Sequence, residues 1–251
     1  MDGEKYNEHQ IKTLQSSFER LKIENDLKNG WISLISHNFK GAFSNLIQLI
    51  EALENGLISE VDFFKLLPQI KQDATNNLQL IADTSIWTKT QREDYDPDMT
   101  EVYVVELFAR LKKEFREILT RKQLQFTYSG DETIQIYADP FLISYVLEKI
   151  VHNAFKYSRP GQSVIVTAEE DKAETILSIS DQGTGMDENQ IKSIFTFDSP
   201  VYRGTEGETG VGLSLKIAKN FIHLMDGKIK IESLKSEGTT VKIFLPRKNR
   251  K

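Results

Sequence analysis

Apolar residues recur at helical spacings through the first part of the chain and at strand spacings through much of the rest. From position 35 they follow alternating intervals of four and three residues, and a second series begins at position 63. Such intervals predict two amphipathic helices with hydrophobic seams. The seams comprise Ile35, Phe39, Ala42, Leu46, Leu49 and Leu53, followed by Phe63, Leu67, Ile70, Ala74, Leu78 and Ile81.

A turn and a proline limit these two helices. The Asn-Gly pair within Glu54–Ser59 favours a turn between them. Pro68 predicts either a kink or a helix that starts near Lys65. The result is an all-α helical hairpin whose apolar stripes a single copy would leave exposed. We therefore predict a homodimer in which two hairpins form a four-helix bundle.

The polar segment Gln91–Glu101 is typical of a linker, and the pattern changes after it. An amphipathic helix (VVELFARLKKEFREILTRK), strand pairs, a helix capped by Asp139 before Pro140, and a helix that ends on Gly227 follow in turn. This order predicts an α/β two-layer sandwich with a mixed sheet and helices on one face. We place the hairpin domain at 1–92, the linker at 93–98 and the second domain at 99–251.

Composition narrows the function classes. The 251 residues include no cysteine, which excludes disulfides, thiolate catalysis and cysteine-ligated metals. The net charge of −5 argues against general nucleic-acid binding. No apolar run approaches the roughly 18–20 residues that span a bilayer, and no signal peptide opens the chain. We expect a cytoplasmic protein, either by itself or as the cytoplasmic part of a larger membrane-anchored sensor.

The segment EKIVHNAFKYS places three polar side chains within one helical turn. Asn153 lies beside Lys156 and Tyr157, three and four residues on. An asparagine carbonyl suits Mg²⁺, a lysine suits phosphate, and a tyrosine ring can lie against a base. The same segment also fits an ordinary amphipathic helix with a buried apolar face.

Two glycine-rich segments add to this pattern. In SISDQGTGM, Asp181 ends an apolar strand and precedes Gly183 and Gly185, which permit close approach of backbone to a ligand. In GETGVGLSLKIAKNF, Gly210 and Gly212 lead into a helix whose free N–H groups favour an anion. Neither segment has the full spacing of a dinucleotide or Walker motif, and each also fits a plain structural turn.

Two further segments complete the set. Phe195–Glu208 is polar and fits either a lid over a ligand or a surface loop. The closing hairpin offers a hydroxyl near the site from Thr239 or Thr240, of which we select Thr240, and the same residues also fit a plain hairpin turn. In this order and spacing, the segments from about 99 to 247 resemble the catalytic ATP-binding domain of sensor histidine kinases, in the Bergerat-type ATPase/kinase superfamily.

The resemblance implies ATP and Mg²⁺ as ligands of this domain. Asn153 then corresponds to the Mg²⁺ ligand of the family's N box, Lys156 would reach phosphate, and Tyr157 would flank the adenine. Asp181 would hold the adenine amine. The family's glycine boxes would shape the two sides of the pocket, with Gly183 and Gly185 on the adenine side and Gly210 and Gly212 on the phosphate side. Arg203 in the lid is a weaker candidate for charge neutralisation.

Lys149 departs from the family, in which a second asparagine is common one turn before the N-box asparagine. Gyrase-type hydrolysing ATPases of this fold have a glutamate there that activates water. Lys149 cannot act as that base at neutral pH, and Glu148 points about 100° away around the helix. ATP hydrolysis as the primary activity is therefore disfavoured.

The first 90 residues resemble the dimerisation and histidine-phosphotransfer domain of the same kinases. His37, within SHNFKGAF, falls at an outward position of the first seam, as a phosphoacceptor would. The resemblance implies autophosphorylation of His37, transfer to an aspartate of a response-regulator receiver domain, and an upstream sensor domain. In isolation, the same histidine also fits a solvated surface residue.

Two residues after His37 depart from the family's H box. Asn38 replaces the acidic neighbour, which orients the imidazole and takes its proton, and an amide cannot serve as a base. Gly41 replaces the threonine or asparagine that positions water for dephosphorylation. We therefore expect slow autophosphorylation and little phosphatase activity. These departures keep open an alternative: a non-enzymatic signalling module that binds ATP or partner kinases.

Overall fold

The computed structural model describes residues 18, 28–33, 35–36, 39–41, 43–92, 94–171, 173–196, 202–208 and 212–248. The chain divides into two compact units, Met1–Leu80 and Ile81–Lys251. The predictions for His37, Asn38 and Gly210 lie outside the described residues. The predicted limits of the functional domains stay a prediction.

The first unit contains a helical hairpin, as predicted. Helix α1 comprises the described helical residues 28–33, 35–36, 39–41 and 43–54, and α2 spans Glu60–Thr90. Gly56 turns the chain between them with φ +67°, and the Ser59 hydroxyl caps α2 by accepting from the Asp62 amide at 3.1 Å. Helix α2 begins at Glu60 and continues through Pro68. The alternative of a start near Lys65 is therefore wrong.

The two predicted seams differ in burial within one chain. The described seam residues of α1 are half-buried. Along α2, by contrast, Leu67 is 40% and Leu78 68% exposed, and Phe64 beside the seam is 63% exposed. On α1, Phe43 is also 60% exposed. Exposed apolar side chains that continue along two helices are typical of a protein–protein interface.

The second unit begins with the last ten residues of α2. The rest of the unit consists of helices and of strands that form a five-stranded sheet and a separate two-stranded sheet. Its elements are β1 Thr100–Tyr103, α3 Val104–Glu114, α4 Arg116–Arg121, β2 Gln125–Gly130, β3 Gln135–Ala138, α5 Pro140–Tyr157, β4 Ser163–Glu170, β5 Glu174–Asp181, α6 Glu188–Ser193, α7 Ser214–Leu224, β6 Lys228–Leu234 and β7 Gly238–Pro246.

A mixed five-stranded sheet forms one layer of this unit, which confirms the predicted fold class. Its strand order is β2-β4-β5-β7-β6, with β2 and β4 parallel and the other pairs antiparallel. Side chains alternate along β5 and β7, so that Leu177, Ile179 and Ile243 are buried. Helices α5 and α7 contribute Phe155 and Phe221 to the same core. Strands β1 and β3 form a separate antiparallel pair.

Three local predictions are corrected. The predicted single helix after the linker divides at Phe115 (φ −91°, ψ 15°) into α3 and α4, where the Phe115 ring packs edge-on against Phe155 at 5.4 Å. The polar segment Gln91–Glu101 also contains the start of β1 at Thr100, because pairing with β3 holds it extended; the linker limits 93–98 stay a prediction. Finally, Asp226 rather than Gly227 is the left-handed residue after α7, at φ 56°. A Cβ at Gly227 would lie 2.7 Å from the Phe244 carbonyl oxygen, so strand packing requires that glycine.

Candidate nucleotide-binding site

Helix α5 brings Asn153, Lys156 and Tyr157 to one end of the sheet. The carboxylate of Asp139 starts the helix by accepting from the amides of Phe141 and Leu142 at 2.8 and 3.0 Å, as predicted. The apolar face of α5 is buried, whereas Asn153 and Tyr157 are half-buried on the remaining face. Because they are four residues apart, their side chains lie one turn from each other.

Lys156 is buried at this end of α5. Its ammonium lies 5.1 Å from the centre of the Tyr157 ring and donates to the Tyr202 carbonyl oxygen at 3.4 Å. The Tyr157 hydroxyl donates to the same oxygen at 3.2 Å. Burial lowers the pKa of Lys156 against the attraction of Glu208, and raises that of Tyr157 to about 12. Both polar ends therefore converge on one backbone carbonyl.

Asp181 ends β5 on the side of the sheet that faces the helices. Its Oδ1 accepts from the amides of Gly183 and Thr239 at 2.8 and 3.2 Å. Burial raises the pKa of Asp181 to about 6, although these two hydrogen bonds oppose the rise. Both bonds from described residues go to Oδ1, which leaves Oδ2 for the donor of a ligand.

The turn after Asp181 requires its two glycines. A Cβ at Gly183 would lie 2.5 Å from the Tyr157 carbonyl oxygen, and one at Gly185 (φ +60°) would overlap the carbonyl oxygen of Leu234. The Thr184 amide also donates to the Tyr157 carbonyl at 3.2 Å. The turn is thus held against the end of α5, which brings Asp181 and Tyr157 into the same region.

The two threonines of the closing hairpin point to opposite faces of the sheet. Thr239 is the register partner of Asp181, and its amide bonds that carboxylate. Thr240 is opposite Ser180, and the two hydroxyls are 2.9 Å apart. Because neighbouring strand residues face opposite sides, Thr240 lies away from Asp181. Its placement corrects the expectation for Thr240 and favours Thr239 instead.

The second glycine box contains a buried lysine that the sequence reasoning missed. Gly212 has φ +73° and immediately precedes the start of α7. The Lys216 side chain folds back and donates to the Gly212 carbonyl oxygen, and burial lowers the pKa of Lys216. Its position one turn into α7, among apolar residues, was the available signal. Lys216 therefore places a buried cation beside Gly212, at the start of α7.

Lys149 has a defined electrostatic environment one turn before Asn153. Its ammonium is 3.3 Å from Asp83 Oδ1 and 3.0 Å from Glu148 Oε1, and it lies 4.9 Å from the Tyr145 ring centre. Ser214 also donates to Asp83 at 3.2 Å. Glu148 is thus paired with Lys149, and neither residue resembles a free general base.

The oxygen atoms of the described residues would bind Mg²⁺ only together with water and the phosphate oxygens of a nucleotide. Among the described residues, no group of three or more histidines, aspartates or glutamates is placed to hold a metal ion. Mg²⁺, however, commonly takes one or two protein ligands and completes its shell with water and phosphate oxygens. The Asn153 amide oxygen is a suitable hard ligand, and no hydrogen bond from the described part of the chain engages it.

Three comparisons place this geometry among known proteins. Residues 138–249 match the family model described as Histidine kinase-, DNA gyrase B-, and HSP90-like ATPase. Sensor protein SrrB of Staphylococcus aureus is 26% identical over 223 residues, which cover 88% of this chain but 38% of SrrB. The chain thus spans under half the length of that relative.

Solved structures share the fold. Histidine kinase AdeS of Acinetobacter baumannii aligns with a TM-score of 0.64 at 20% identity, over 85% of this chain and 98% of AdeS. Histidine kinase ThkA, solved in complex with response regulator protein TrrA, aligns with a TM-score of 0.65 at 19% identity, over 92% of this chain and 64% of ThkA. Within the described ranges, no helix has the length and apolar content needed to cross a membrane.

Proposed function

We propose that this chain, which the three comparisons support as the cytoplasmic core of a sensor histidine kinase, transfers the γ-phosphoryl group of Mg·ATP to His37. The phosphoryl group then passes to an aspartate of a response regulator. The observation that carries the proposal is the convergence of Lys156, Tyr157 and Asp181 at one end of α5.

Each residue of this site has a distinct task. The Oδ2 of Asp181 accepts a hydrogen bond from the exocyclic amine of adenine, while the ring of Tyr157 packs against the base. Lys156 keeps its 3.4 Å contact with the Tyr202 carbonyl and donates another of its three protons to a phosphate oxygen. Arg203 and Lys216 supply further positive charge. This division of tasks suits phosphoryl transfer, which depends on positioning and charge neutralisation.

The transfer step exchanges one bond to phosphorus for another. An unprotonated imidazole nitrogen of His37 attacks the γ-phosphorus, the bond to the β,γ-bridging oxygen breaks, and ADP leaves. Asn153 would hold Mg²⁺, which neutralises the phosphate oxygens when bound. Because Asn38 cannot take the imidazole proton, that proton goes to solvent, and we expect a rate about 10²–10⁴ lower than with a general base.

Two partners follow from the proposal. The exposed apolar side chains of α1 and α2, such as Phe43, Phe64 and Leu78, would be buried in a homodimer through the helical hairpin. A response-regulator receiver domain would then approach His37, in the manner of the ThkA–TrrA complex. An upstream sensor domain would supply the signal. Sedimentation of the chain alone should give a dimer, and Leu78→Glu should shift it towards monomer.

The direct test is incubation with γ-labelled ATP and Mg²⁺. We expect an acid-labile, alkali-stable label on the wild type and none on His37→Gln. Nucleotide affinity, measured by calorimetry, should be equal in the two proteins. The absence of any labelled protein, with ATP binding intact, would refute phosphotransfer.

That refuting outcome would support the second candidate, a signalling module that binds ATP or partner kinases without efficient autophosphorylation. Asn38 and Gly41 favour it, because both replace chemically active side chains. Steady phosphate release without a labelled protein would instead indicate a hydrolysing ATPase. The pairing of Lys149 with Glu148 at 3.0 Å argues against that activity.

A further inference from the structure

A completely buried lysine lies beside the candidate nucleotide site. Lys122 has 0% exposure, and its ammonium contacts four oxygen atoms. Two are carbonyl oxygens of α5, those of Phe155 at 2.9 Å and Lys156 at 3.1 Å. The others are the Thr205 hydroxyl at 2.8 Å and Glu208 Oε1 at 3.2 Å. One cation therefore joins the end of a helix to a separate loop.

The position of Lys122 follows from local structure. The last carbonyls of a helix lack internal partners and favour a cation, and Lys122 provides one for α5. The next residue, Gln123, is left-handed at φ 53° and ends α4. The Lys122 carbonyl also accepts from the Gly161 amide at 3.0 Å, in the loop that follows α5. Backbone and side chain thus fix Lys122 at the same helix end.

The loop that Lys122 contacts comprises residues 202–208, which we call the strap. The strap closes on itself, since the Gly204 amide donates to the Glu208 carbonyl at 2.7 Å and the Glu206 amide to Glu208 Oε2 at 2.9 Å. Burial opposes ionisation of Glu208. Hydrogen bonds from its own amide and that of Glu206, together with Lys122, outweigh burial and lower the pKa of Glu208. The Lys122–Glu208 contact is therefore an ion pair.

Thr205 completes the anchor between strap and helix. Its hydroxyl accepts from Lys122 and donates to the Ser158 carbonyl at 2.8 Å, while its amide donates to the Lys156 carbonyl at 3.1 Å. A lysine has three protons to share among these acceptors. The Thr205 hydroxyl at 2.8 Å and the Glu208 carboxylate at 3.2 Å are the two links from Lys122 to the strap.

The other end of the strap touches the nucleotide residues. Tyr202 offers its carbonyl oxygen to Lys156 at 3.4 Å and to Tyr157 at 3.2 Å. Gly204 lies so close to α5 that an added Cβ would be 2.6 Å from Lys156 Cγ. The strap thus holds the side chains of Lys156 and Tyr157 in place on α5.

We infer that Lys122 is a positioning residue of the nucleotide site. Through Thr205 and Glu208 it anchors the strap, and the strap orients Lys156 and Tyr157 for phosphate and base. This inference rests on the proposed function, because the ligand is the same Mg·ATP. Lys122 itself would not contact the nucleotide, because it is completely buried. Its ammonium donates to oxygen atoms of α5 and of the strap.

The test uses Thr205→Val, which keeps the shape of the side chain but removes the hydroxyl. Thr205→Ser, which retains the hydroxyl, is the matched rescue variant. In the nucleotide-free proteins, hydrogen exchange of the peptide covering 202–208 should accelerate about tenfold or more in Thr205→Val and stay near wild type in Thr205→Ser. The dissociation constant of a non-hydrolysable Mg·ATP analogue, by calorimetry, should rise about tenfold in Thr205→Val alone.

Arg121→Gln provides the control. Within the described residues it breaks just the exposed 3.0 Å ion pair with Glu206, so strap exchange and affinity should change less than about twofold. Lys122→Met should show both Thr205→Val effects, and more strongly, if it folds. If it does not fold, Glu208→Gln decides the matter, because it removes the charge that pairs with Lys122 at 3.2 Å and leaves the bond from Thr205 to the Ser158 carbonyl in place. Unchanged strap exchange in Thr205→Val would overturn the anchor.

Two further outcomes of these measurements distinguish failure of the positioning role from failure of the proposed function. Faster strap exchange in Thr205→Val with an unchanged dissociation constant would overturn the positioning role. Failure of the wild type itself to bind the analogue would refute the proposed function. In that case the exchange data alone would still decide whether Lys122 anchors the strap.

Discussion

Asp181→Asn separates recognition of the adenine amine from the integrity of the fold. The asparagine carbonyl can still accept from the Gly183 and Thr239 amides, which bond Oδ1 at 2.8 and 3.2 Å. Its amide nitrogen, however, replaces the free carboxylate oxygen and faces another donor. Loss of a hydrogen bond to a charged group costs about 1.5–3 kcal/mol. The affinity for ATP should therefore fall roughly 10- to 100-fold.

The raised pKa of Asp181, about 6, gives this prediction a pH signature. Only the ionised carboxylate accepts fully, so wild-type affinity should fall roughly tenfold between pH 7 and pH 5. Asp181→Asn should show no such fall. We propose calorimetric titration with a non-hydrolysable ATP analogue across this range, and with the inosine analogue, which lacks the exocyclic amine. The wild type should prefer adenine, and the variant should lose that preference.

Stability should change in the opposite direction to affinity. Because the folded pKa lies above the ordinary value, the stabilising contribution of protonated Asp181 is complete below about pH 4 and lost as pH rises through about 6. Asp181→Asn cannot ionise, so it should be as stable as the wild type or more so at pH 7. Denaturant melts measure this. An unchanged affinity for ATP, or a pH dependence retained in the variant, would refute the assignment of Asp181.

The remaining predictions concern other parts of the molecule. Asn153→Ala should weaken nucleotide binding about tenfold in Mg²⁺ but not in EDTA, by calorimetry; equal losses in both buffers would contradict a metal role. Asn38→Glu should accelerate labelling of His37 by at least about tenfold, and no gain would refute the missing-base explanation. Lys149→Met removes the cation that lies 3.3 Å from the carboxylate of Asp83, which is only 2% exposed, so urea melts should show a loss of about 3 kcal/mol; a loss below about 1 kcal/mol would mean the pair contributes little.

Much of the fold follows from local patterns. The spacing of apolar residues predicted the hairpin and the sandwich, because amphipathic periodicity reflects which side of a helix or strand is buried. The Asp139 cap was predictable because it is local: its carboxylate accepts from the Phe141 and Leu142 amides, two and three residues away in the sequence. Features set by distant contacts were not. The division at Phe115 accompanies its packing on Phe155, and β1 exists because it pairs with β3.

The sequence by itself determined which residue types the candidate site contains. Asn153, Lys156, Tyr157 and Asp181 could be named because chemistry depends on residue type and on spacing within one element. Only the tertiary structure decided which groups meet across elements: Thr239 rather than Thr240 beside Asp181, and the strap over Lys156.

Lys122 shows the limit most clearly. In the sequence it is one of many charged residues at a helix end, and its neighbour Arg121 is exposed. Its burial and its contacts with Phe155, Lys156, Thr205 and Glu208 join positions 33 to 86 residues away. No local pattern predicts such contacts, because they join residues that are distant in the sequence. The low-dielectric interior that strengthens the hydrogen bonds of a buried cation exists only after the chain has folded.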